Sequence, residues 1–74
     1  MKIISQQIQS HFETYKGIVF ECSANIYDRD CNIIVRARTP KRTRIFISEE
    51  SIDTFDLDRF IYNLDKEVQA CFLI

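Results

Sequence analysis

Glycine, proline and histidine occur once each in this 74-residue sequence, and its three cysteines stand far apart with no CxxC pair among them. Each scarcity removes a class of chemistry. General acid-base or nucleophilic catalysis would need His11, the only histidine, held by an oriented partner. A dyad with Cys22 or Cys71 is the catalytic reading, but no third residue is placed to orient it. His11 therefore reads as a partly buried structural side chain at the edge of an apolar stripe, and the chain as no enzyme. A zinc site needs four ligands at recognisable spacing, which one histidine and the scattered Cys22, Cys31 and Cys71 do not offer. The cysteines read as buried thiols of a core in a reducing compartment. Asp28 and Asp30 flank Arg29, yet two carboxylates fall well short of the oxygen ligands Ca²⁺ demands, and Asp is a favoured turn residue. No metal and no cofactor is expected.

Long apolar runs are also missing. No segment approaches the length that crosses a bilayer, and the opening residues lack the unbroken apolar stretch of a signal peptide. A cytoplasmic location without a membrane partner is expected. Neither sign of charge dominates, since 10 Lys and Arg against 11 Asp and Glu leave a formal net charge of -1. That excludes a protein whose whole surface attracts nucleic acid or anionic lipid, so any such preference has to come from a local patch.

What remains is an ordinary globular composition, 46% hydrophobic and 28% charged, suited to one domain over residues 1–74 with one core. A chain this short buries only about 60% of the surface its unfolded form exposes, so modest stability is expected and self-association as a homodimer stays open. Along residues 3–16, Ile4, Ile8, Phe12 and Tyr15 recur at helical spacing, and Gly17 follows as a left-handed C-terminal cap. From Ile18 the period changes to two. Ile18, Phe20, Cys22, Ala24 and Ile26 alternate with Val19, Glu21, Ser23, Asn25 and Tyr27, and after Asp28-Arg29-Asp30 the residues Cys31, Ile33, Val35 and Ala37 alternate with Asn32, Ile34, Arg36 and Arg38. Two strands joined by so short a turn make a hairpin. With Arg29 and Asp30 as the loop, Glu21 falls opposite Arg38, a favourable cross-strand charge pair.

Pro40 interrupts the strand pattern, so Thr39-Pro40-Lys41 reads as a three-residue turn into a third strand over Thr43 to Ser48. Thr43, Ile45 and Ile47 are expected to face inward, with Arg44, Phe46 and Ser48 outward. Asp56 then suits an N-cap, Phe55 can staple onto Phe60, and Leu57, Phe60, Ile61, Leu64, Val68, Cys71 and Phe72 fall on one helical stripe. The expected fold is α+β with the order αβββα, a three-stranded antiparallel meander with both helices packed on one face.

The segment from Arg36 to Arg44 carries no acid. In the expected register Arg38 faces Arg42 and Arg36 faces Arg44, so four guanidinium groups crowd the open sheet face beside Tyr27, Ile34 and Phe46. Such crowding opposes folding locally and suits a surface that grips carboxylates or phosphates. A solvated face that deters edge aggregation is the plain alternative. Tyr27, Arg36, Arg38, Arg42, Arg44 and Phe46 are the candidate partner-binding residues. Glu49, Glu50, Asp53, Asp56 and Asp58 form an acidic run that suits a helix start, with mimicry of phosphate spacing as the other reading. Tyr62 and Leu73, with the apolar Ile74 after them, make a second candidate interface.

The element order resembles that of the double-stranded RNA-binding domain, whose hairpin loop carries Gly, Pro and His and whose last helix starts with lysines. Here those places hold Asp28-Arg29-Asp30 and the acidic Asp53 to Asp58. The order also resembles some small phage-encoded inhibitors, anti-CRISPR proteins among them, through the architecture of the whole chain and no specific motif. That resemblance implies an inhibitor or adaptor that binds a protein partner. Nucleic acid, as single strands stacked on Tyr27 and Phe46 between arginines, is the alternative partner.

Overall fold

A computed structural model describes residues 2–73, and its elements run α1 (Lys2–Phe12), β1 (Val19–Tyr27), β2 (Asp30–Arg38), β3 (Thr43–Ser51) and α2 (Leu57–Phe72). The three strands form one antiparallel sheet in the order β1-β2-β3. Both helices lie on the same side of it. Ile8 and Phe12 of α1 and Leu64 and Val68 of α2 close over Phe20, Ala24, Cys31, Ile33, Val35 and Ala37 to make the core. This is the expected α+β, αβββα architecture.

α1 is shorter than its apolar period suggested and ends at Phe12 rather than Tyr15. The Thr14 hydroxyl donates to the His11 carbonyl at 3.1 Å, a local bond that competes with helix continuation. Gly17 has the positive φ of 85° that its lack of a side chain permits, but it serves the turn into β1 and does not cap α1. α2 follows its sequence signals closely. Asp56 accepts a hydrogen bond from the Arg59 amide at 3.2 Å, and the Phe55 and Phe60 rings meet at 5.9 Å as the staple requires. Asp56→Ala should therefore lower stability by about 1 kcal/mol, a drop of roughly 4–8 °C in Tm for a domain of this size. Thermal unfolding followed by circular dichroism measures it, and Asp56→Asn, which keeps the acceptor, should melt near wild type.

The two hairpins depart from the expected register in different ways. In the first, the loop is Asp28-Arg29, Tyr27 pairs with Asp30, and Glu21 pairs with Arg36 instead of Arg38. Asp28 takes a φ of 57°, and Asp tolerates that left-handed conformation better than Arg29, which the expected loop would have put in its place. Moving the loop by one residue changes the pairing by two and leaves every side chain on its expected face.

In the second hairpin the shift is odd and its consequence is larger. Thr39 and Arg42 exchange backbone hydrogen bonds at 2.7 and 3.3 Å, which leaves Pro40-Lys41 as the tip and pairs Arg38 with Thr43. The Thr39 hydroxyl accepts from the Lys41 and Arg42 amides at 3.3 and 3.1 Å, holding the turn in this form. Pairing Arg36 with Ile45, rather than with Arg44, turns all of β3 over. Phe46 joins the helix-covered side and packs against the core, while Ile45 and Ile47 face out.

Candidate functional site

Inverting β3 takes the expected arginine cluster apart. Arg36 and Arg38 stay on the open face of the sheet, where the Arg36 Nε lies 3.7 Å from a Glu21 carboxylate oxygen. Arg44 belongs to the other side, opposite Ala37, with its guanidinium 5.7 Å from the Phe46 ring centroid. Arg42 turns to the end of α2 and donates to the Cys71 carbonyl, supplying the cation that the last turn of that helix lacks. Tyr27 faces out and Phe46 faces in, so the two rings cannot stack neighbouring bases on one surface.

In place of the basic patch, the open face carries an apolar centre. Ile34 and Ile47 sit directly opposite each other on β2 and β3, and Ile45 flanks them beside Arg36. Their exposures are 45%, 75% and 54%, with Val19 at 52% and Tyr27 at 67% towards the two ends of β1. Charge divides along the strands. Arg36, Arg38 and the Glu21 carboxylate paired with Arg36 occupy the end near Pro40, which is net positive, and Asp30 and Glu49 occupy the end near the Asp28-Arg29 loop, which is net negative. Among the described residues nothing covers this face, because α1 and α2 both pack on the opposite one.

The acidic run serves separate contacts. Glu50 bridges to Arg59 at 2.9 Å, Asp53 holds Arg29 with two hydrogen bonds of 2.8 Å, and Asp56 caps α2. A groove of about 230 Å³ between β3 and α2 is lined by Phe46, Phe60 and Leu64, and the Glu50-Arg59 bridge lies along it. On the outer side of α2, Tyr62 and Leu73 are exposed and the Lys66 ammonium sits 4.4 Å over the Tyr62 ring centroid. Ile74 lies outside the described residues. The Cys22, Cys31 and Cys71 thiols are free, and burial pushes Cys22 up to about 11. Cys31 is raised too, by burial and then by the nearby Glu50 carboxylate. Cys22 and Cys31 therefore stay protonated at neutral pH, where a thiol is a poor nucleophile.

His11 meets neither Cys22 nor Cys71 but Asp65 of α2, with Nε2 2.9 Å from Oδ2. An ionised carboxylate only accepts, so this geometry places the His11 proton on Nε2. The Tyr15 hydroxyl donates to the other Asp65 oxygen, and the Gln69 amide donates to that same oxygen at 3.1 Å and to the Tyr15 hydroxyl oxygen at 3.3 Å. The network fastens α1 to α2. Sequence spacing offered one hint, because Asp65 and Gln69 stand four apart beside the apolar stripe; their partners 50 and 54 residues away had no local signal.

Burial pushes the Asp65 carboxyl up, but the bonds from Tyr15, His11 and Gln69 outweigh it and hold the group below the ordinary carboxylate range. Tyr15 is raised, by burial first and by its bond to that carboxylate. A depressed carboxyl adds stability above its unfolded value, about 3.9 for Asp, and loses it as pH falls through the lower folded value. Asp65→Asn should thus be less stable than wild type by about 1 kcal/mol at pH 7, with the gap closing below pH 3.9. Urea unfolding of both chains across that range measures it; a gap that widens on acidification would contradict the sign.

No protein-family model, curated protein or solved structure matches this chain, so its function has to be read from the chemistry of these surfaces.

Proposed function

We propose that this chain is a non-enzymatic protein-binding module, an inhibitor or adaptor of the phage-encoded kind, that docks through the open face of its sheet. One observation carries the reading: β3 turns Ile45 and Ile47 out to water beside Ile34, although its alternating pattern would bury them. Soluble monomers rarely expose a contiguous apolar patch of more than a few hundred Å² unless something binds there. A strand that departs from its own local pattern is also where a functional demand is expected to show. The charges around the patch are mixed, which suits a protein surface better than a phosphate backbone.

The test is a photoreactive side chain at position 47, with another at position 62, irradiated in host lysate. Protein adducts concentrated at position 47 are expected. Adducts at position 62 alone would move the interface to α2. Binding of single-stranded oligonucleotides whose affinity falls steeply between low and physiological salt would replace the protein reading with a nucleic-acid one.

A further inference from the structure

We infer that the open face of the sheet is a self-complementary surface, and that its occupant is a second copy of this chain packed face to face with its strands reversed. This rests on the proposal that the open face is the contact surface, and it names the partner. The basis is the order of side chains along the strands. Ile34 and Ile47 lie in the central row of the sheet, Arg36 and Arg38 with Glu21 on one side of it, and Asp30 and Glu49 on the other, so the first side is net positive and the second net negative. A two-fold axis running across the strands through that central row sets Ile34 and Ile47 against their own counterparts. The same operation brings the Arg36-Arg38 end of each copy over the Asp30-Glu49 end of the other. The alternative axis, parallel to the strands, would stack ends of like net charge, four arginines with two Glu21 carboxylates at one end and four carboxylates at the other.

Reversal also brings β1 over its own counterpart, so Val19 of one copy approaches Tyr27 of the other, and both exposed side chains at the ends of β1 find apolar partners. Sheets packed this way cross at about 30°, which displaces individual pairs but keeps end over end. An isologous two-fold contact requires a patch that is its own complement, and an apolar centre between oppositely charged ends satisfies that.

The size fits a reversible dimer. A standard interface takes about 800 Å² from each partner, and the chain exposes 5263 Å² in all. Three nine-residue strands, at about 3.4 Å per residue and about 4.8 Å between strands, present a face of roughly 30 by 14 Å, smaller than that class, so weak and reversible association is the expectation.

Sedimentation velocity of the purified chain from about 1 µM to about 1 mM should show a monomer passing into a dimer. Ile47→Glu should remain a monomer throughout. A chain carrying Arg36→Glu with Arg38→Glu, and another carrying Asp30→Lys with Glu49→Lys, should each lose at least about tenfold in self-association. Mixed in equal amounts, the two should form a one-to-one heterodimer. Circular dichroism confirms that each variant is folded, and Arg38→Glu alone serves if the Asp30 change disturbs the neighbouring turn. A wild type that stays monomeric to about 1 mM, or charge-reversed chains that dimerise as well as wild type, would overturn the second copy as occupant. If position 47 still crosslinks to a different protein in lysate, only the identity of the partner falls. If it crosslinks to nothing, the open-face reading falls with it.

Discussion

Replacing Phe12 by alanine is expected to remove a large part of the folding free energy of this chain. The ring is fully buried, lies 4.9 Å from Phe20 and 5.9 Å from Tyr15 between centroids, and joins α1 to β1. Phe-to-Ala changes in cores cost about 3–5 kcal/mol, because the lost transfer free energy is joined by a cavity that the neighbours fill only in part. At roughly 0.05–0.15 kcal/mol per residue, a chain of 74 residues has about 4–11 kcal/mol in total. The variant should therefore be marginal at 25 °C. In urea its midpoint should fall by about 2 M or more, taking an m-value near 1.5 kcal/mol/M. A midpoint within about 0.5 M of wild type would mean that α1 is not seated on the sheet as described.

The second large effect separates the two registers of β3. With Phe46 inside and Ile47 outside, Phe46→Ala should cost about 2 kcal/mol, less than a fully buried ring because Phe46 is only half-buried. Ile47→Glu should change stability by no more than about 0.5 kcal/mol, as at other exposed positions. The register suggested by alternation alone makes the opposite forecast, since a glutamate at position 47 would then be an unpaired charge in the core, costing several kcal/mol. Thermal unfolding of the two variants side by side decides between them. If Ile47→Glu unfolds and Phe46→Ala does not, the face assignment of β3 is wrong, and the proposed contact surface with it.

Much of the fold was legible because its signals are local. The change of period at Ile18, the Asp56 cap with its Phe55-Phe60 staple, and the shared inward face of β1 and β2 each depend on residues a few positions apart. The arginine cluster was not legible. It depended on whether the turn around Pro40 pairs residues with an odd or an even offset, and adjacent offsets place opposite faces outward. Hydrophobic alternation argued for burying Ile45 and Ile47, and the folded chain instead turns the half-buried Phe46 against the core and gains the Glu50-Arg59 bridge to α2.

The sequence by itself determined the kinds and order of the elements, the stripe each helix buries and the alternation within each strand, because helix and strand periods are set by backbone geometry shared by every chain. Only the tertiary structure decided which side of β3 meets water, which carboxylate holds His11, and where Arg42 spends its charge. Each of those depends on groups brought together from distant parts of the chain, Arg42 to Cys71 across 29 residues and His11 to Asp65 across 54. Such partners are selected by the packing of the whole domain, through the parity of a turn and the seating of two helices, and leave no periodic trace along the chain.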